Sequence, residues 1–373
     1  MKKNLNLKKT AHLIYPSDLR KNINPWSIGN NISIALKDKY KIKNYYWTSI
    51  EKIYPNKGDI LIGHCHPNPF TIFRRSIKNK NWQKKIIIQP YNEDPKQMSH
   101  LYDVIKECDD FIAICGEYWY KRISSSKFKS WKKKITQIDL GLDVKLYPKI
   151  KKKFNKINKR KFLYIGNDYS FNNYAKNLIY LKKISQLIGE NKFATIGNKS
   201  IGKIKHYGWL NLQNKKSLNV IKSYDFLIQT SNYDANPSTV LESLSWGLIP
   251  VITPQCGYKK EKSIINIPLN KVNMACNVVN KLQQIPEKKL KKLQSQNWKI
   301  LKRFYSWAKF RNTIKKVVLA KKMNKNIMYT KKELIFFKKN YLASPNYYLN
   351  FDMIFTIIKS NIKIFIKRMI ELQ

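Results

Sequence analysis

Two carboxylates eight residues apart, Asp234 and Glu242, bracket the run Ala235-Asn236-Pro237-Ser238-Thr239. That run has the composition of a helix start. Asn236 suits the N-cap, and Pro237 suits the first helical position, where a missing N–H costs nothing. The amides of Ser238 and Thr239 then lack intrahelical acceptors, and the helix dipole adds to their preference for an anion. A helix start serving only the core needs no acid on each side. The plainer alternative is an ordinary helix start with two solvated acids.

The flanking pattern supplies elements to hold these residues. Residues 226–229 are a short apolar run fit for a buried strand, and a polar loop carrying Asp234 follows. A helix is expected over 238–246, with Gly247 as its stop and a second strand over 248–253. Strand, loop, helix and strand in this order build a parallel sheet.

This segment resembles the E-x7-E signature of family 4 retaining glycosyltransferases of the GT-B fold. Here it reads Asp234, seven residues, Glu242, then Gly247, Pro250, Val251 and Ile252. The resemblance implies that Asp234 faces the donor sugar, as a catalytic-site residue, and that Glu242 binds the donor ribose. It also implies that the start at Asn236, Ser238 and Thr239 holds the donor pyrophosphate. The family usually has Glu where this chain has Asp234, one methylene shorter, which bears on the sugar it suits.

Weaker elements fall in the order the resemblance requires. Residues 12–15 read as a first strand, followed by a loop over 16–31 and a helix from near Asn31. In the family the matching loop approaches the donor phosphates, which makes Gly29 a donor-side candidate. Residues 59–63 form a strand leading into His64-Cys65-His66, and the family's histidine at this place lines the acceptor cleft. His64 and His66 are therefore catalytic-site candidates. Read alone, H-x-H is also a metal pair, but no third ligand accompanies it at a sensible spacing. The resemblance implies no metal and no cofactor, and no D-x-D motif occurs.

Strands are expected over 85–89, 110–115 and 135–138, with a helix over 96–108. Residues 139–143 resemble the family's domain-closing element. The lysine-rich stretch 149–161 reads as an exposed hinge. Strands at 162–165, 193–196 and 225–229 begin a second domain, with Gly166 directly after the first. The family continues with Gly-Arg and a later lysine on the pyrophosphate. Asn167 replaces that arginine, and Lys176, opening the next helix, matches the lysine. Residues 206–209 resemble the family's hydrophobic-Gly strand end, and 305–319 its closing helix.

The expected architecture is α/β, GT-B: two Rossmann-like domains facing across a cleft, with a helical C-terminal extension. The domains are 1–148 (acceptor side), a basic linker 149–161, a nucleotide-sugar domain 162–322 whose closing helix crosses back, and an extension 323–373. In the extension, Ile354, Ile358, Ile362, Phe365, Ile366 and Met369 share one helical face, with Lys359, Lys363 and Lys367 opposite. Such a helix lies in a membrane interface or packs on the first domain.

Composition bounds the partners. The chain has 373 residues, 43% of them hydrophobic, which excludes a disordered basic protein. Five scattered cysteines without C-x-x-C spacing argue for a reducing compartment and against structural zinc. The N-terminus lacks an apolar signal-peptide core, and no run is long enough to cross a membrane. A cytoplasmic protein, peripheral on the membrane's cytoplasmic face, is expected.

The net charge of +50, with only 23 acids, attracts nucleic acid, anionic membrane or phosphorylated substrates. Nucleic acid is the poorer partner, since no arginine-rich base reader or named module occurs. The function the family resemblance implies is a hexosyltransferase moving sugar from a nucleotide-diphosphate donor to a glycan or lipid-linked acceptor, with retention, in surface polysaccharide or glycolipid synthesis. A GT-B sugar-nucleotide epimerase and a non-catalytic basic nucleic-acid scaffold are the alternatives.

Overall fold

A computed structural model describes residues 8–17, 27–167, 173–258, 263–322 and 326–342. The chain divides into two compact units. The first contains residues 1–113, 123–136 and 311–373, and the second 114–122 and 137–310.

In the first unit a six-stranded sheet has the order β2-β1-β3-β4-β5-β6. Its strands are β1 (Thr10–Tyr15), β2 (Lys41–Tyr46), β3 (Ile60–Gly63), β4 (Lys84–Pro90), β5 (Asp110–Ile114) and β6 (Ile135–Ile138). β1 pairs in parallel with β2 and β3, and β3 with β4. Every residue of β3 and β5 is buried, as expected of strands covered on both faces. β2 escaped the sequence reading because it is an edge strand. Its Lys41, Lys43 and Tyr46 are exposed, and such lysines keep an edge from pairing with another chain.

The helix expected over 96–108 is three short pieces, Pro95–Met98, Ser99–Leu101 and Tyr102–Glu107. Residues 311–342 add two helical pieces to this unit. Lys84 Nζ donates to the carbonyls of Val317 (2.5 Å) and Ala320 (3.1 Å), which caps the end of the Trp307–Leu319 helix, and it pairs with Asp110 at 3.0 Å. The Lys331–Leu342 helix buries Phe337 against Trp131 and Tyr102, and its Tyr341 hydroxyl donates to the Pro67 carbonyl at 2.5 Å. The amphipathic segment 353–370 lies outside the described residues. Among the described residues no helix is long and apolar enough to cross a membrane.

In the second unit the sheet order is β12-β11-β10-β7-β8-β9. Its strands are β7 (Phe162–Ile165), β8 (Phe193–Ile196), β9 (Lys205–His206), β10 (Phe226–Gln229), β11 (Ile249–Ile252) and β12 (Ile265–Asn266), all paired in parallel. Strand alternation sorts their side chains onto two faces. Leu163, Ile165 and Leu227 enter one core, and Phe162, Tyr164, Phe226 and Ile228 the other. Phe162 stacks between Phe193 (5.1 Å) and Phe226 (4.8 Å).

The lysine-rich stretch 149–161 keeps most of its lysines exposed, as its composition suggests, but three of its residues pack into the second unit. Lys151, Phe154 and Arg160 are buried, and Lys151 Nζ meets the buried Asp225 at 3.0 Å. The amides of Ile150 and Lys151 donate to Trp246 O, and Gln294 Nε2 donates to Lys151 O. A buried cation needs a partner that only the fold supplies, and Asp225 is that partner.

Candidate active site

β10 delivers the chain into the loop 230–237, and the helix that follows spans Ser238–Trp246. Gly247, at φ +90, closes it in the left-handed conformation that glycine adopts without steric cost. The start differs by one residue from the sequence expectation. Pro237 is the N-cap residue, no side chain caps the helix, and Asn236 lies outside it. Asn236 Oδ1 instead accepts from the Leu140 amide at 2.9 Å. Its Nδ2 is buried with no hydrogen-bond partner among the described residues. The Tyr258 hydroxyl donates to the Pro237 carbonyl at 2.6 Å, which holds the entry to the helix.

Ser238 and Thr239 therefore occupy the first two helical positions, whose N–H groups have no intrahelical acceptor. Gln229, the last residue of β10, ties this turn to the sheet. Its Nε2 donates to Ile165 O at 2.7 Å and to Thr239 Oγ1 at 3.2 Å. One helical turn further in, Glu242 is 8% exposed. Burial pushes its pKa up to about 7, against a lowering contact from Ser238. Its Oε2 is buried and has no hydrogen-bond partner among the described residues. A carboxylate oxygen left open beside a free helix start can accept from a ligand hydroxyl while the helix start takes an anionic group.

Asp234 and Lys176 meet directly, Nζ to Oδ2 at 2.5 Å. Lys176 does not open a helix as expected; it ends the short Asn173–Lys176 helix. Asn177 follows at φ +54, and the next helix begins at Leu178. The loop after β10 is sewn to this turn. The amides of Asn232 and Tyr233 donate to Ala175 O, and Asn232 Nδ2 donates to Tyr174 O at 2.8 Å. Gly166 sits at the end of β7, its amide donating to Ile196 O, and a Cβ there would come within 2.7 Å of the Tyr164 hydroxyl. A Cβ on the neighbouring Gly197 would strike the Gly166 carbonyl. Gly166, Gln229, Thr239, Lys176, Asp234 and Glu242 are thus set around the carboxyl ends of parallel strands, where doubly wound sheets take ligands.

The first unit holds the other candidates. Gly29 lies not in a loop but in the first turn of the Ile28–Leu36 helix, capped by Ser27. The backbone groups of Ile28 and Gly29 hydrogen-bond the Tyr15 hydroxyl. Tyr15 in turn meets the His64 ring edge-on at 5.0 Å. Burial lowers the His64 pKa to about 3, and its Nδ1 has no partner among the described residues. His66 packs edge-on against Trp47 at 4.5 Å, and its Nδ1 accepts from the Asn68 amide at 3.0 Å. Burial, with Arg74 nearby, lowers its pKa to about 4. Both imidazoles are neutral near pH 7. Among the described residues no group of three or more His, Cys, Asp or Glu is placed to hold a metal ion.

Sequence reasoning passed over Gln229, Tyr15 and the helix Glu117–Arg122. Gln229 left a signal: it is the one amide closing an otherwise apolar strand, where a ligand-facing residue belongs.

No protein-family model matches the sequence, and no curated protein matches it. Solved structures match in fold. A glycosyltransferase from Rickettsia africae ESF-5 aligns over 84% of this chain and 99% of its own, at 12% identity and a TM-score of 0.59. A sucrose-phosphate synthase from Thermosynechococcus elongatus aligns over 83% and 98%, at 9% identity and a TM-score of 0.58. Anabaena HepE, solved with UDP and glucose, aligns over 83% and 99%, at 8% identity and a TM-score of 0.54. Two parallel six-stranded sheets with their helices and a helical C-terminal part make the fold α/β of the GT-B glycosyltransferase type.

Proposed function

We propose that this chain is a glycosyltransferase that moves a hexosyl group from a nucleotide-diphosphate donor to a hydroxyl of a glycan or lipid-linked acceptor, with retention. The observation that carries the reading is the buried Glu242, one oxygen unpartnered among the described residues, behind an open helix start. Glu242 accepts from the ribose hydroxyls, and the amides of Ser238 and Thr239 take the diphosphate. Transfer breaks the C1–O bond to the β-phosphate and forms a C1–O bond to the acceptor. The acceptor's proton leaves to a phosphate oxygen of the donor. The departing diphosphate gathers negative charge, which Lys176 and the helix start neutralise in a preorganised setting. On this reading the donor needs no metal, and Asp234 orients the sugar.

The net charge of +50 supports an acceptor at an anionic membrane surface, with work on cell-surface polysaccharide or glycolipid at the cytoplasmic face. Thermal-shift titration with UDP-, GDP- and ADP-sugars tests the core of the proposal. At least one should raise Tm in the wild type and fail to do so in Glu242→Ala. Stabilisation by none of them rejects it. Sugar inversion without acceptor would mean an epimerase, and salt-sensitive DNA or RNA binding with indifference to nucleotide sugars would mean a basic scaffold.

A further inference from the structure

The helix Glu117–Arg122 follows β5 in the chain but belongs to the second unit, and what it grips there is the loop carrying Asp234. The Gly116 amide donates to Ala235 O at 3.0 Å, and the Tyr118 amide to Gly257 O at 3.3 Å. Trp119 Nε1 donates to Asp234 O at 2.8 Å, and Gln255 Nε2 donates to the Tyr118 hydroxyl at 3.0 Å. The Trp119 ring also stacks on Tyr233, 6.1 Å between centroids at an interplanar angle of 17°.

Two glycines make this approach possible. A Cβ on Gly116 would overlap the Gly257 carbonyl, and a Cβ on Gly257, at φ +86, would overlap the carbonyl of Ala235. Asp234 is consequently fixed at both backbone groups. Its amide donates to Gln255 O at 3.1 Å, and its carbonyl is held by the buried Trp119. Only its carboxylate remains adjustable, and in this chain that carboxylate lies on Lys176.

We infer that Trp119 is a positioning residue that sets the reach of Asp234 and thereby which sugar the donor site accepts. The inference rests on the donor-site reading above. An aspartate has little side-chain length with which to compensate for a displaced backbone, and misplacement of about 1 Å costs on the order of a hundredfold in rate. The indole N–H removes that freedom at the residue's own carbonyl, and the stack on Tyr233 removes it one residue earlier.

The test compares Trp119→Phe and Trp119→His with the wild type, using whichever nucleotide sugar the wild type turns over and its C4 epimer. Phe keeps an aromatic ring over Tyr233 without the donor, whereas His restores a ring N–H. Trp119→Phe should hold its affinity for the bare nucleoside diphosphate within about twofold while kcat falls about tenfold and the epimer preference narrows. Trp119→His should recover part of both. Wild-type kcat and epimer preference in Trp119→Phe overturn the inference. So does a matching loss of diphosphate affinity, which marks a merely structural residue. If Trp119→Phe does not fold, Tyr233→Leu gives the same split or overturns the inference by lacking it. A wild type that binds no nucleotide sugar removes the donor-site reading itself, a separate outcome.

Discussion

Glu242 in the second unit and His64 in the first are both buried ionisable groups near strand ends, each with one atom unpartnered among the described residues. Burial makes each one neutral more readily, but it does so in opposite directions. The carboxyl is pushed up to about 7 and the imidazole down to about 3. Their surroundings differ as well. Beside His64 the first amides of the Ile28–Leu36 helix are already engaged by the Tyr15 hydroxyl. At Glu242 the helix start at Ser238 has no side-chain cap at all. One helix start is satisfied from within the fold, and the other, on the proposed reading, takes the donor diphosphate.

The largest expected effect separates binding from folding at Glu242. If its carboxylate accepts from ribose hydroxyls, Glu242→Ala should weaken nucleotide binding on the order of a hundredfold, or about 2 to 3 kcal/mol. Calorimetric titration measures this. Stability should move the other way. The folded pKa of Glu242 lies above its unfolded value, so its contribution is favourable at low pH and is lost as pH rises from about 4.5 through 7. At pH 8 the variant should melt no lower than the wild type. Nucleotide affinity in the wild type should increase between pH 6 and 8, a trend that Glu242→Gln abolishes. Unchanged affinity in the alanine variant would erase the contrast with His64.

The opposite sign is expected in the first unit. His64 has a folded pKa below its unfolded one, so the unfolded chain binds more protons as pH falls below 6.5. Between pH 7 and pH 5 this one group should cost about 2 kcal/mol of stability, with His66 adding in the same direction. Urea unfolding at the two pH values measures it, and His64→Gln should flatten the difference. The same substitution should leave nucleotide affinity at pH 7 unaltered. A loss of affinity there would place His64 with the donor residues.

Much of this was legible in the sequence because strands and the helix around Asp234 are set by local pattern. β6, β7, β8 and β10 fall where the apolar runs place them. The illegible parts are those that depend on a partner far along the chain. Lys151 reads as one more solvated lysine until Asp225 is found beside it. Asn236 has the composition of an N-cap, yet the amide of Leu140 claims its side chain. Nothing in Gly116-Glu117-Tyr118-Trp119 announces a grip on residues more than a hundred positions away. Composition also hid the buried Lys151 and Arg160 within the exposed stretch 149–161, since charge density says nothing about which cations a fold neutralises.

Smaller effects probe the pair at the site's edge. Lys176→Ala should weaken nucleoside-diphosphate binding about tenfold by removing a cation from the phosphate. It should do less to a nucleoside monophosphate, and equal losses for both ligands would detach Lys176 from the diphosphate.

Asp234→Asn gives the smallest and most discriminating change. In the free chain the Asp234 carboxylate lies on Lys176 at 2.5 Å, so a diphosphate must compete with it for that ammonium group. Both side chains are partly solvated, which limits the pair to about 1 kcal/mol. Removing the charge should therefore tighten nucleoside-diphosphate binding a few-fold while transfer is lost, because the sugar loses its orienting acid. Affinity and turnover would then change in opposite senses at one residue. If both fall together, the acid is a structural partner of Lys176 and the sugar is held elsewhere.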